Sequence, residues 1–172
     1  MKTMRYYAAV PIFLFAFLLQ TTVLWKLPVF GSSPNLLLCL VVIFSFLYEE
    51  RYGLILGALF GVLLDIATSA LIGPQAITFV AVYLIVRVLR NVFNHEKLIP
   101  DVLMALIATP VNLFLVWLIN RICGVPEHII FVVKALLPLL LMHMAITALL
   151  HPLFARTAIR YRSDSRYEGG RI

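Results

Sequence analysis

Asp65 is the one ionisable side chain that sits clearly inside a long apolar run of this chain. A charge in hydrocarbon is expensive, so such a residue marks the first place to look for function. It belongs to a series spaced four apart, Gly53, Gly57, Gly61 and Asp65, followed by Ser69 and Gly73. Residues at i and i+4 share a helix face, and small ones there let another backbone approach closely. Two uses fit this pattern. The glycines form either a seam that meets a partner, with a buried carboxylate at its centre, or ordinary packing within the chain, with Asp65 satisfied by a neighbour.

Three further polar side chains fall at a similar depth. At a rise of about 1.5 Å per residue, counted from the inner end of each span, Asp65 lies about 18 Å in, Gln20 about 21 Å and Asn112 about 15 Å. Lys134 lies about 23 Å from the same side of a hydrocarbon core about 30 Å thick. These four residues can share one buried polar layer, with Lys134 as the partner of Asp65; alternatively Lys134 snorkels outward to water. Arg87 lies near the inner end of its helix and is placed to snorkel.

The sequence carries no familiar signature of catalysis. No G-x-S-x-G occurs, and His95-Glu96 lacks a second histidine at the zinc-binding spacing because Ile99 stands there. Glu49-Glu50-Arg51 resembles the paired glutamates of prenyl-protein peptidases, but the arginine has the wrong spacing and the cluster falls in a tight loop. Cys39 and Cys123 show no CxxC spacing and read as small apolar residues. His143 and His151, eight apart and without an evident carboxylate, read as packing residues. Pro110 and Pro138 are expected to kink their helices, and Asp101 beside Pro100 marks a helix start, where a carboxylate is favourable. The expectation is a chain that is not an enzyme and needs neither metal nor cofactor.

The elements that position these residues follow from composition. Of 172 residues, 63% are hydrophobic and 13% charged, and mean hydropathy is +1.02. An ordinary soluble domain is roughly half apolar and about a quarter charged, so lipid must be the solvent here. The net charge of +6 does not indicate nucleic acid, because the basic residues stand at the ends of apolar runs without interleaved aromatics. Attraction to anionic lipid accounts for them better.

Six apolar segments can be marked, near 6–25, 34–48, 53–72, 75–89, 102–119 and 129–149. Spanning needs about 20 residues. The first, third, fifth and sixth meet this, the fourth is slightly short, and the second could be re-entrant. The N-terminal run resembles a signal peptide, but Leu19 to Val23 offers no A-x-A-like cleavage site, so it reads as an uncleaved first helix. With six spans, Lys26, Arg121 and Lys134 fall on one side and the other eleven Lys and Arg on the opposite one. The richer side is the cytoplasm, which places both termini inside; with five spans the sorting is poorer and the N-terminus is exported. The reading is an all-α membrane protein: a compact six-helix bundle over 1–155 and a basic, disordered cytoplasmic tail over 156–172.

A family resemblance rests on particular residues. Pro34-Asn35-Leu36-Leu37-Leu38 opens the second segment; Arg51, Gly53, Gly57, Gly61 and Leu64-Asp65 follow, then Ser69, Gly73 and a fourth helix ending in Arg87 and Arg90. This resembles the MreD family of rod-shape-determining membrane proteins, most specifically over 34–90. Many members carry Asp where this chain has Asn35. The resemblance implies a non-enzymatic component of the cell-wall elongation complex in the bacterial inner membrane. Its implied partner is MreC, and through it MreB and the lateral-wall polymerase and transpeptidase. It also implies a helical arrangement similar to the substrate-binding subunits of energy-coupling-factor vitamin transporters. From a different class, the layer around Asp65, Gln20 and Asn112 would suit a small-molecule (vitamin-like) transporter subunit. Short outer loops argue against that, as does a first helix whose Ala8, Ala9 and Ala16 form no A-x-x-x-A face.

Overall fold

The computed structural model of the chain describes residues 6–26, 33–48, 51–90, 98–125 and 128–168, with side chains over 9–26, 33–48, 51–90, 99–125 and 128–155. Glu49, Glu50 and His95 lie outside the described residues. Six α-helices run in chain order: α1 (Tyr6–Thr22), α2 (Leu36–Leu47), α3 (Tyr52–Thr68), α4 (Pro74–Leu89), α5 (Leu98–Ile122) and α6 (Ile129–Glu168). A 3-10 turn, Leu24–Lys26, extends α1. No strand occurs among the described residues.

The second helix occupies the centre. Ten of its twelve residues are buried, and it touches each of the other five helices. This explains its unbroken apolar run: a helix that is hydrophobic all round has no face reserved for water. It also explains its length. Twelve residues span about 18 Å, well short of a hydrocarbon core of about 30 Å, so both ends must find polar partners inside the protein rather than in solvent. Around α2 the helices α3 and α4 form one packed pair, α5 and α6 another, and α1 packs on α2 and α3. Phe44 of α2 gathers the core, its ring centroid 5.2 Å from that of Phe13 and 5.5 Å from that of Phe154.

Three stretches are long and apolar enough to cross a membrane: Ala9–Lys26, Ile99–Ile122 and Ile129–Ala155. The expectation that the third segment also crosses easily is corrected. Its helix stops at Thr68 after 17 residues, where Ser69 turns to extended backbone, and 69–72 form the turn into α4. Apolar content alone did not distinguish the helix from that turn. The fourth helix has 16 residues. Pro110 lies within α5, and Pro138 and Pro152 within α6, without ending either helix. The tail expected to be disordered continues α6 as helix to Glu168.

The glycine series sits inside the bundle. A Cβ on Gly53 would meet Phe44 at 3.1 Å and Tyr83 at 3.2 Å, and one on Gly57 would meet Val41 at 2.9 Å. At Gly61 it would lie 2.6 Å from the Ala76 Cα and 2.8 Å from its backbone nitrogen. The face expected to meet a partner is therefore filled by α2 and α4 of the same chain. The opposite face of α3, with Ile55, Leu59 and Ile66, is exposed.

Candidate functional site

The buried start of α2 needs acceptors for its first backbone amides. Asn35 is the N-cap, its Oδ1 accepting from the Leu38 N–H at 3.0 Å, as short polar residues do at this position. Gln20 of α1 grips the same end with both functions. Its Oε1 accepts from the Leu36 N–H at 2.8 Å and its Nε2 donates to the Pro34 carbonyl at 2.8 Å. From α6, His143 Nε2 accepts the Asn35 N–H at 2.8 Å. A backbone amide can only donate, so His143 is neutral and carries its proton on Nδ1. That proton points to Thr109 Oγ1 on α5 at 2.9 Å, and the Thr109 hydroxyl donates in turn to the Ala105 carbonyl at 2.8 Å.

The start of α4 is capped by Asp65, reaching across from α3. Its Oδ2 accepts from the Gly73 N–H at 2.9 Å, the Gln75 N–H at 3.0 Å and the Ala76 N–H at 3.5 Å; Oδ1 shares the Gln75 N–H at 3.2 Å. A carboxylate at a helix N-terminus is favoured by both the free amides and the dipole. Two glycines make the contact possible. Gly61 has no Cβ to hold Ala76 away, and Gly73 adopts φ +122°, a backbone that L side chains rarely take.

Amides join the two capped starts. Gln75 Oε1 accepts from Asn35 Nδ2 and from Asn112 Nδ2, each at 3.4 Å, and Asn112 Nδ2 also donates to Thr78 Oγ1 at 2.9 Å. Gln20, Asp65 and Asn112 are thus all bonded at these two helix starts. The pairing of Asp65 with Lys134 is corrected: Lys134 is exposed on the first turns of α6, and the Asp65 oxygens are taken by backbone amides. Asn35, Gln75, Thr109 and His143 complete the layer and were not named for it. One signal was available, since His143, Thr147 and His151 recur every four residues, a spacing that places them on one face of α6. Beside the layer lies a cavity of about 360 Å³ lined by Gln20, Trp25, Ser33, Asn35, Leu64, Thr68 and Gln75.

The opposite end of α2 is closed by cations. Arg87 of α4 and Arg90, the C-cap of α4, both donate from Nη1 to the Tyr48 carbonyl, at 2.8 and 3.0 Å, where a helix C-terminus favours positive charge. Arg87 therefore has a helix end to bind rather than only solvent to reach. Nearby in sequence to neither, Asp101 in the first turn of α5 bonds His151 Nδ1 at 2.8 Å, both buried. The reading of His151 as lacking a carboxylate is thus corrected; fifty residues of sequence separation hid the pair. Asp101 Oδ1 and Thr147 Oγ1 have no partner among the described residues. Cys39 is buried and Cys123 exposed, both free. Among the described residues no group of three His, Cys, Asp or Glu is placed to hold a metal ion.

Chemically, the layer is a set of helix caps. Its carboxylate is engaged by amides, its imidazole is fixed in one tautomer, and its carboxamides bond backbone or each other. Such an arrangement fixes the geometry of two helix starts rather than moving protons.

No curated protein and no solved structure matches the chain. A family model does, described as MreD, rod shape-determining protein MreD, and it covers residues 1–157. That range takes in all the helix caps just described, and with three stretches apolar enough to cross a bilayer it makes the chain a member of the MreD family of rod-shape-determining membrane proteins.

Proposed function

We propose that this chain is a non-enzymatic scaffold of the bacterial cell-wall elongation complex, embedded in the inner membrane and partnered by MreC. One observation carries the scaffold reading: Gln20, Asp65, His143, Arg87 and Arg90 bond helix ends, while the outward faces are apolar and exposed. On α6, Phe131, Leu137 and Leu141 are exposed, as are Ile55, Leu59 and Ile66 on α3. Helix association in lipid relies on close packing and a few polar contacts, and such faces suit it. Through MreC the chain would reach MreB and the lateral-wall polymerase and transpeptidase, partners that rest on the family resemblance. The eleven-to-three sorting of Lys and Arg supports both termini lying in the cytoplasm. The likeness to vitamin-binding transporter subunits likewise rests on the resemblance.

The transporter alternative draws on one feature, the cavity beside the polar layer. Against it stands the bonding of Gln20 and Asp65, whose polar atoms serve the fold. Depletion in a rod-shaped host distinguishes the readings. A scaffold predicts rounded cells, and retrieval of MreC with the tagged chain from membrane extracts. Cells that stay rod-shaped, with no MreC retrieved, would refute it.

A further inference from the structure

The cavity at the starts of α2 and α4 has a lining that selects a class of ligand. Three carboxamides (Gln20, Asn35, Gln75), two hydroxyls (Ser33, Thr68), one indole (Trp25) and Leu64 face it. None of these carries a charge, and the neighbouring Asp65 has both oxygens engaged by backbone amides. An ionic ligand would find no counter-charge, which makes its desolvation unfavourable. Gln20, Asn35 and Thr68 already have partners within the fold, but a wholly apolar ligand would leave the Gln75 amide N–H groups and the Ser33 hydroxyl without any.

The unused bonding capacity points the same way. Among the described residues, the Gln75 amide N–H groups, the Ser33 hydroxyl and the Trp25 indole N–H have no hydrogen-bond partner. Gln75 Oε1 is occupied by two amides, leaving its donors for a ligand. A ligand that suits them brings several hydroxyl and ring oxygens together with an apolar face for the indole. Its volume, about 360 Å³, lies near the lower end of the range of about 300–1,000 Å³ typical of small-molecule pockets. Trp25 lines the cavity and is 56% exposed, and aromatic rings of this kind combine a flat apolar body with a polar handle.

We infer that this cavity binds a neutral sugar ring, held by Gln75 and Ser33 and stacked on Trp25. The inference goes beyond the scaffold reading and does not depend on it. The same ring chemistry is offered by a free saccharide and by the head of a glycolipid. Because Trp25 stands in the 3-10 turn after α1, and amphipathic aromatics favour the membrane–water interface, the two sources are to be separated by experiment.

The chain has two tryptophans, so Trp117→Phe leaves Trp25 as the sole indole reporter. The purified protein, in a detergent without a sugar head, is titrated with methyl β-glucoside and with N-acetylglucosamine. It is also placed in phosphatidylcholine nanodiscs, alone, with phosphatidylglycerol, or with monoglucosyl diacylglycerol. The expected result is a saturable change in Trp25 emission. Ser33→Ala, which removes no hydrogen bond among the described residues, should weaken it about tenfold without changing the melting temperature, the loss of roughly one hydrogen bond. A response to free sugar assigns a saccharide; one confined to nanodiscs with the glucolipid assigns a headgroup. No saturable response from folded protein to any of these overturns the inference. So does a response to phosphatidylglycerol nanodiscs, relative to phosphatidylcholine, that equals that to the glucolipid. If Trp117→Phe does not fold, thermal stabilisation of the unsubstituted chain by the same probes gives the same decision.

Discussion

Replacing Asp65 separates a capping carboxylate from an ion-paired one. In the structure its oxygens satisfy three backbone amides at the start of α4, two of them at 2.9 and 3.0 Å and the third at 3.5 Å. Asp65→Ala leaves the two well-made donors buried without acceptors, at about 1–3 kcal/mol each, and removes a charge that a helix N-terminus rewards by up to about 2 kcal/mol. A loss of about 3–6 kcal/mol is expected, or roughly 6–24 °C in melting temperature at about 2–4 °C per kcal/mol. Asp65→Asn can keep an oxygen where Oδ2 sits, retain most acceptor bonds and lose mainly the charge, so its loss should be about 1–2 kcal/mol. Buried Cys39 supplies the assay: in a Cys123→Ser background, a thiol-reactive dye labels Cys39 only as the chain unfolds. Lys134→Ala is the control and should melt like the parent. The reasoning fails if Asp65→Ala melts unchanged, if Asp65→Asn is as damaging as Asp65→Ala, or if Lys134→Ala matches either.

The same dye assay checks three more expectations. Gly61→Ala puts a Cβ against the Ala76 backbone at 2.6–2.8 Å, and overpacking of this kind costs about 1–3 kcal/mol; Gly53→Ala, whose nearest neighbours are side-chain atoms at 3.1–3.2 Å, should be milder. Equal melting of the two would count against backbone contact as the reason for Gly61. His143→Leu strands the Asn35 N–H and should lower stability by about 1–3 kcal/mol, while His143→Gln, which can present an acceptor there, should recover part of it; a leucine variant as stable as the parent would contradict the assigned tautomer and bond. At the other end of α2, either Arg87→Gln or Arg90→Gln should be tolerated better than the double substitution, because both guanidiniums serve the Tyr48 carbonyl and neighbours sharing a partner are not additive. Strictly additive losses would argue against a shared cap.

Much of the bundle was legible because its signals are local. Apolar runs bounded by charges marked six helices, and α4 was placed within a residue of its observed start. The small-residue spacing marks one helix face, and Gln20, Asp65 and Asn112 all bond at the two capped helix starts. What sequence could not show is which surface meets that face. The period of the glycines is identical whether the neighbour is α4 of the same chain or a separate protein, and only the placement of Ala76 decides. Lys134 was drawn to Asp65 by charge, yet a helix start offers a carboxylate several amides at once without bringing an ammonium into lipid. The pairs His143–Thr109 and His151–Asp101 join residues 34 and 50 positions apart, a separation that no periodicity encodes.

A short, buried central helix gives these pieces a common cause. Its ends fall at depths where water is scarce, so four other helices supply side chains to them: Gln20 from α1, His143 from α6, Arg87 and Arg90 from α4, and Thr109 from α5 through His143. The matched family range, 1–157, contains every one of these residues. Fixing α2 at both ends fixes the relative positions of the surrounding helices, and with them the outward apolar faces that the scaffold reading assigns to partners.

The central claim is that the buried carboxylate serves architecture and not chemistry. Its most direct test is complementation of a shape-deficient host by Asp65→Asn, scored with the amount of the variant in the membrane. Produced at the parental level, the variant should restore rod-shaped cells. Round cells despite full membrane levels and undiminished retrieval of MreC would mean that the charge itself acts, and the account would be wrong.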